Sequence, residues 1–191
     1  MKKKYKLTNI KIEVLGKTLF RIRALRDIGK SDIHKGDLGG YIEKEENLSQ
    51  YDNSWVSDDA MVFDDAEVFD DARVFGRARV FDRARVFGAA EIASDAEVGG
   101  NARIFGNVRV NRGAKVCSDA DIMWISKIGS CLRTTTAFKT KDGKIKIKCD
   151  CFEGSLDKFV AKVAEKHGDN KYGREYKTAI ELIKIHFGEE E

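Results

Sequence analysis

The sequence predicts an all-β solenoid of about four coils, with a β-hairpin before it and an α+β segment after it. The first observation behind this fold class is a β-branched residue at every sixth position from Val56 to Ile122. The second is a row of mostly Ala two positions earlier, from Ser54 to Ala120. A strict period of six fits neither the 3.6-residue helix nor the two-residue strand alternation. It is typical of solenoids, in which each repeat packs on its neighbours.

Composition excludes several functional classes. The chain has 191 residues, with 35 Lys plus Arg against 32 Asp plus Glu, and a net charge of +3 argues against general nucleic-acid binding. No apolar run approaches the roughly 20 residues of a membrane span, and the basic N-terminus lacks the features of a secretory signal. The four irregularly spaced Cys favour reduced thiols. We therefore expect a cytoplasmic protein that does not bind membranes.

Residues 1–53 predict a β-hairpin followed by a Gly-rich elbow. Ile10, Ile12 and Val14 alternate with polar residues, as in a β-strand. The turn is predicted at residues 15–17, and residues 19–25 form the second strand of the hairpin. Residues 27–53 read as a loop with its elbow at residues 36–40. Ile42 and Leu48 lie six positions apart, so the repeat is expected to begin there imperfectly. A two-residue insertion then precedes Val56.

Residues 54–125 repeat the pattern Ala-x-Val-Phe-Asp/Gly-x. Each Ala-x-Val predicts a short strand with both side chains pointing inward. Asp, Gly, Ser or Asn stands two positions after most of the branched residues, and these residue types tolerate positive φ at a turn. Three strands and three turns would close one coil of a triangular prism.

The repeat resembles the hexapeptide-repeat superfamily, whose fold is the left-handed parallel β-helix. The resemblance implies that three hexads form one coil, so that positions 18 apart stack. Four coils spaced about 4.8 Å apart would make a prism roughly 20 Å tall. The left-handed crossover is an exception to the usual rule for parallel strands.

Stacking by 18 predicts three outward-facing rows just after the branched residues. Only the first row is apolar throughout; it consists of Phe69, Phe87, Phe105 and Met123. The second row contains Phe63, Phe81, Gly99 and Cys117, and the third contains Ser57, Phe75, Ala93 and Asn111. An exposed apolar strip is typical of an interface, and a closed ring would bury it in every subunit. We therefore expect a homotrimer; alternatively, the Phe side chains shield corners or pack under terminal elements.

Charge also varies along the coils. Residues 58–71 are acidic and the next coil is rich in Arg. Stacking would pair Glu67 with Arg85 and align Asp59, Arg77 and Asp95. The functional alternative is a phosphate or carboxylate site built from unpaired Arg beside the apolar row. The candidate residues of this ligand site are Arg85, Arg103, Phe87, Phe105 and Arg109, with Arg112 nearby.

Residues 126–191 predict a second hairpin and two helices. The strands cover residues 133–140 and 144–151 around Lys141-Asp142-Gly143. Ser155 is expected to cap the first helix and Gly168 to end it. The second helix is expected from about Gly173 to Phe187. Because a solenoid has open ends, we expect both terminal hairpins to cap the prism, with the helices over one end.

The His and Cys residues are the candidates for chemistry. Resemblance to the hexapeptide superfamily implies, for its acyltransferases, a trimer with acyl-CoA between prisms and a His base near the coils. His34, His167 and His186 all lie outside residues 55–125, so no catalytic residue is assigned, although His34 is the candidate if a loop reaches a neighbouring subunit. Cys149 and Cys151, joined by Cys131 or His167, match a Zn site weakly, and buried free Cys is the commoner explanation. No metal and no cofactor is assigned.

Two further segments carry closer resemblances. Residues 31–50, SDIHKGDLGGYIEKEENLSQ, resemble the N-terminal segment of YdcK-like hexapeptide proteins. Residues 138–159, FKTKDGKIKIKCDCFEGSLDKF, resemble a segment of uncharacterised hexapeptide proteins of phages. The leading expectation is a non-enzymatic binding or assembly protein, in the host cytoplasm if it is phage-encoded. The resemblance to phage proteins also suggests a counter-defence protein that sequesters an anionic nucleotide-like signal or a host factor at subunit interfaces. The alternatives are a CoA-dependent acyltransferase and a structural protein–protein scaffold.

Overall fold

The computed structural model describes residues 3–29 and 33–189. A β-solenoid of about four turns lies between an N-terminal hairpin and a C-terminal region of sheet plus helix, which confirms the predicted fold class. Residues 30–32, which belong to the loop predicted at residues 27–53, lie outside the described residues, and two of them also belong to the YdcK-like segment. The left-handed sense of the coils stays a prediction.

The N-terminal strands continue one face of the solenoid. Strands β1 (Tyr5–Val14) and β2 (Lys17–Ala24) form the predicted antiparallel hairpin, and β3 (Leu38–Ile42) pairs antiparallel with β2. The turn uses positive φ at Leu15 and Gly16. Because β3 is also parallel to the first coil strand beside it, the hairpin covers one end of the prism on that face.

Eleven two-residue strands form the coils at six-residue intervals. They are β4 (Trp55–Val56), β5 (Met61–Val62), β6 (Glu67–Val68), β7 (Arg73–Val74), β8 (Arg79–Val80), β9 (Arg85–Val86), β10 (Glu91–Ile92), β11 (Glu97–Val98), β12 (Arg103–Ile104), β13 (Arg109–Val110) and β14 (Lys115–Val116).

The coil strands pair in three parallel stacks with the predicted 18-residue offset. The stacks run β3-β5-β8-β11-β14, β4-β7-β10-β13 and β6-β9-β12. Ile42 pairs with Val62 and Leu48 bridges to Val68, both with a 20-residue offset. The repeat therefore begins imperfectly at Ile42, and the two-residue insertion before Val56 is confirmed. Short 3₁₀ turns cover Glu45–Asn47 and Asp119–Asp121.

The interior of the prism is filled by the row of β-branched residues and the row of Ala residues predicted to point inward. The branched residues from Val56 to Val116 and the Ala residues two positions before them are buried in one continuous core. The corners two positions after the branched residues carry the predicted positive φ, for example at Asp58, Gly76 and Ser94. Small and branched side chains thus fill the prism, while residues that tolerate positive φ turn its corners.

The C-terminal sheet closes the other end. It comprises β15 (Ile122–Ile128), β16 (Arg133–Lys139), β17 (Ile145–Cys149) and β18 (Phe152–Ser155), all antiparallel. Phe138 enters the solenoid core, and the Lys141 N–H donates to the Gly113 carbonyl at 2.8 Å. The second predicted hairpin therefore caps the prism.

Helices α1 (Leu156–His167) and α2 (Lys171–Phe187) pack on the opposite face of this sheet. Phe159, Ile180 and Ile183 form a separate core with Ala137 and Ile147, so the sheet lies between most of the helical surface and the coils. The helices therefore lie over this end of the prism, with the C-terminal sheet between them and most of the coils. The predicted N-cap at Ser155 and the stop at Gly168 are confirmed. Neither helix in the described part of the chain combines the length and apolar character of a bilayer span.

Candidate functional site

Three phenylalanines form a continuous ring stack along the β6-β9-β12 face. The ring centroids of Phe69 and Phe87 lie 4.9 Å apart and those of Phe87 and Phe105 lie 5.0 Å apart, with nearly parallel planes. Trp124 then meets Phe105 edge-on at 4.8 Å. Met123, the predicted fourth member, packs instead against the core beneath the helices. We call Phe69, Phe87 and Phe105 the Phe ladder.

Exposure rises along the Phe ladder, from half-buried Phe69 and Phe87 to exposed Phe105, whereas Phe63 of the second row is covered by the chain itself. Phe63 is 2% exposed because Leu19 and Tyr41 pack on it, while Phe105 remains 40% exposed. The corners that follow Phe87 and Phe105 are Gly88-Ala89 and Gly106-Asn107, which bear no charge. The upper part of the ladder thus borders a neutral strip, and depletion of charge is typical of interface cores.

Two of the predicted ligand-site arginines flank this ladder and are already paired. Arg85 Nε donates to Glu67 Oε2 at 3.0 Å, as the stacking predicted, and its guanidinium lies 5.1 Å from the centroid of the Phe69 ring. Arg103 donates to Asp119 Oδ2 through Nε at 2.9 Å and through a terminal nitrogen at 2.7 Å. Both guanidinium groups therefore balance carboxylates of adjacent turns.

Arg109 does not join the other two arginines. It lies on β13, in the β4-β7-β10-β13 stack, and Nε is 2.9 Å from Glu91 Oε2. The five predicted ligand-site residues therefore do not form one cluster: Arg85, Arg103, Phe87 and Phe105 share one face, and Arg109 belongs to another.

Corner aspartates have a role that the sequence analysis missed. Their carboxylates accept hydrogen bonds from backbone N–H groups 18 residues later, linking consecutive coils. The pairs are Asp58 with Gly76, Asp64 with Asp82, Asp70 with Gly88, Asp82 with Gly100 and Asp95 with Gly113. An Asp 18 residues before a Gly is the sequence pattern that could have predicted these bonds. The bonds also explain part of the acidic character of the first coil without any bound ligand.

Asp95 belongs both to this corner series and to the predicted charge stack. The Gly113 N–H lowers the pKa of its carboxyl, opposed by burial and assisted by the charges of Lys141 and Arg77. Arg77 thus acts on Asp95 electrostatically, as the stacking predicted, but the backbone hydrogen bond is the larger cause.

Cys131, Cys149 and Cys151 lie around a cavity of about 300 Å³ between the C-terminal sheet and the helices, whereas Cys117 lies on the last coil. Asp150 has a φ of 53°, so the chain turns after Cys149 and the predicted strand alternation with Cys151 is wrong. Cys149 is buried and accepts a hydrogen bond from Thr135 Oγ1 at 3.2 Å, whereas Cys131 and Cys151 are exposed. Among residues 3–29 and 33–189, no three His, Cys, Asp or Glu side chains are grouped to hold a metal.

The histidines lie away from the coil strands. His34 is in the N-terminal segment, with Nδ1 3.8 Å from Asp27 Oδ1 and its side chain 72% exposed. His167 lies at the helix-side cavity, where its ring centroid is 5.6 Å from that of Tyr176. His186 contacts Phe187 at the end of α2.

Residues 98–118 match the family model of the YdcK β-solenoid repeat. The matched segment covers the last coil strands, from β11 onward. Among curated proteins, none matches the chain. Together with the four-turn solenoid, the match confirms the predicted resemblance to YdcK at the level of the repeat.

Proposed function

We propose that the protein is a non-enzymatic binding and assembly module whose solenoids associate into a homotrimer through the Phe ladder. The observation that carries the proposal is the contrast between one outward aromatic of the second row and the last member of the Phe ladder. Phe63 is covered by Leu19 and Tyr41 of its own chain, whereas Phe105 is 40% exposed. A second copy of the chain would cover the ladder as the hairpin covers the second row.

The energetics and geometry of the strip favour a closed ring. Fully burying one Phe side chain contributes about 1.5–3 kcal/mol. The neutral corners Gly88-Ala89 and Gly106-Asn107 let a neighbouring prism approach without desolvating charge at those turns. Three prisms joined head to tail would bury one strip per subunit and avoid open-ended growth.

The arginines beside the ladder support assembly more than capture of an anion. An anionic ligand here would have to displace Glu67 from Arg85 or Asp119 from Arg103. Both guanidinium groups instead fix neighbouring turns and line the margin of the strip. A nucleotide-like signal or a host factor bound between subunits, and a counter-defence role, stay predictions that rest on the resemblance of residues 138–159.

The test is the mass of the protein in solution. Sedimentation equilibrium of the wild type is expected to give a trimer. The double variant Phe87→Glu/Phe105→Glu is expected to give a monomer, because dissociation keeps the new carboxylates hydrated. The prism should stay folded, since both side chains point outward.

The matched control is Phe75→Glu/Ala93→Glu, which adds two carboxylates 18 residues apart at the equivalent outward positions of another face. It is expected to remain trimeric. A monomeric wild type, an unchanged mass of the ladder variant, or equal dissociation of the control would each refute the Phe ladder as the interface. Circular dichroism establishes that each variant is folded.

A further inference from the structure

A second feature lies where the coils meet the C-terminal sheet. A cavity of about 380 Å³ opens between β13 and the face of the sheet turned away from the helices. Small-molecule sites span about 300–1,000 Å³, so the cavity is large enough for an organic ligand. The lining residues that matter here are Arg109, Arg133, Thr134, Thr136, Lys148 and Asp150.

The charges around this cavity are mainly positive. Arg109, Arg133 and Lys148 face a single lining carboxylate, that of Asp150. Arg109 is paired with Glu91. Arg133 and Lys148 make no ion pair and no side-chain hydrogen bond to any residue that the structure describes, in contrast to Arg85 and Arg103 at the Phe ladder. Lys148 lies opposite Glu153 on β18, and its charge helps to lower the pKa of that carboxyl, so it is partly compensated. The cavity still holds more positive than negative charge, which favours an anion.

Neutral hydrogen-bonding groups stand beside these cations. Thr136 pairs directly with Lys148 across β16 and β17, so both side chains point to the same face of the sheet. Thr136 is only 1% exposed, and within the described residues its hydroxyl has no hydrogen-bond partner. Thr134 shares a 3.0 Å hydrogen bond with Ser126. The Thr136 hydroxyl is therefore available to a ligand oxygen.

An adjoining groove of about 500 Å³ supplies an acceptor. It shares Arg109 and Lys148 with the first cavity and is lined by Asn111. Asn111 Nδ2 donates to Glu153 Oε2 at 2.9 Å, which fixes the amide so that Oδ1 is the free atom. That oxygen is buried without a partner in the described part of the chain. An N–H group of a ligand would satisfy it.

We propose that this junction binds a phosphate monoester that also carries N–H donors, of the nucleoside monophosphate class. Arg133 and Lys148 would hold the phosphate, assisted by the Thr136 hydroxyl. The organic part would extend past Arg109 toward Asn111. This site is distinct from the Phe ladder and does not depend on the proposed homotrimer.

The test is isothermal titration calorimetry of the full chain at low ionic strength, with AMP, inorganic phosphate and adenosine as probes. AMP is expected to bind once per chain and more tightly than inorganic phosphate, and adenosine is expected not to bind. Arg133→Gln and Lys148→Gln should each weaken AMP by about tenfold or more, because each removes a charge-assisted hydrogen bond. Asn111→Leu should weaken AMP and leave inorganic phosphate unchanged.

The matched controls are Arg83→Gln and Lys115→Gln, which remove the same charges from exposed positions on the coils, and they should bind AMP like the wild type. No AMP binding at millimolar concentration, equal affinity for AMP and inorganic phosphate, or equal losses in the controls would overturn the proposal. Arg133→Lys serves if Arg133→Gln fails to fold. This variant keeps the charge but loses the bidentate geometry. If Arg133→Lys and Lys148→Gln both bind AMP with wild-type affinity, the proposed site is likewise overturned.

Discussion

The carboxylate of Asp82 accepts a hydrogen bond from the backbone N–H of Gly100, the corner residue one coil further along, at 2.9 Å. Asp82 itself has a φ of 56°, so one residue both turns its own corner and holds the next one. Asp58 with Gly76 and Asp70 with Gly88 repeat the arrangement at 2.9 and 3.1 Å. The corners are thereby tied along the axis of the solenoid, independently of the strand pairing.

The contribution of this tie can be separated from that of the turn. Asp82→Gly keeps the positive φ but removes the acceptor, and we expect the free energy of unfolding to fall by about 1 kcal/mol. Asp82→Asn keeps an acceptor oxygen and tolerates the same φ, so its stability should stay close to wild type. Urea unfolding followed by circular dichroism measures both. Equal midpoints for the Gly variant and the wild type would mean that the bond to Gly100 adds no stability.

The corner at Asp95 predicts a pH dependence. The Gly113 N–H lowers the pKa of the folded carboxyl below the ordinary value of 3.8, so the folded state binds fewer protons than the unfolded state near that pH. The resulting stability is fully present above pH 3.8 and is lost as the pH falls through the lower folded value. We expect the stability gap between wild type and Asp95→Asn to shrink over that window. Urea midpoints measured between neutral pH and pH 3 would show it, and a constant gap would contradict the assignment.

Gly99 provides a steric prediction on the second aromatic row. A Cβ added there would lie 2.5 Å from the Phe81 ring, which leans over the glycine. Gly99→Ala should therefore destabilise the solenoid by about 1–3 kcal/mol through overpacking. In the Phe81→Leu variant, which lacks the aromatic ring, Gly99→Ala should reduce the free energy of unfolding by less than it does in the wild type. Strictly additive effects in this double-mutant cycle would show that the two sites do not touch.

His34 addresses the acyltransferase alternative. Its side chain is 72% exposed, and a general base must lie within hydrogen-bonding distance of the acceptor that it activates. We expect the wild type to release no CoA from acetyl-CoA above background with amine or sugar acceptors, and His34→Ala to behave identically. Acetyl transfer that disappears in His34→Ala would replace the assembly proposal with an enzymatic one.

Regular local patterns made most of the fold predictable. Val and Ala recur at fixed spacing, and corner residues such as Asp58 and Gly76 are types that tolerate positive φ. Coil length and strand register therefore follow directly from the six-residue spacing. The same 18-residue offset pairs Arg109 with Glu91 on the adjacent coil. The prediction that Arg109 lies beside Arg103 is inconsistent with this offset. The corner hydrogen bonds do not follow from the turn-forming tendency or the charge of the aspartates, because they also require a backbone N–H one coil further along.

Errors concentrate where the chain leaves the repeat. From Ile122 onward, strand β15 pairs with β16 and no longer with a coil strand. As a result Trp124, and not the predicted Met123, contacts Phe105 at the end of the Phe ladder. The positive φ of Asp150 reorients Cys151 in a way that composition does not reveal. The junction between Arg109 and Lys148 joins residues 39 positions apart in different sheets, and no local pattern predicts such a meeting.

The 18-residue closure of each coil makes the solenoid a spacer of adjustable length. Duplicating or deleting one coil would preserve the 18-residue stacking of the three faces, and would move the terminal modules apart or together by about 4.8 Å. Inserting six residues would instead turn everything beyond it by one side of the triangle. Lineages that gain or lose whole coils can therefore change the reach of such a protein while keeping the relative orientation of its two ends.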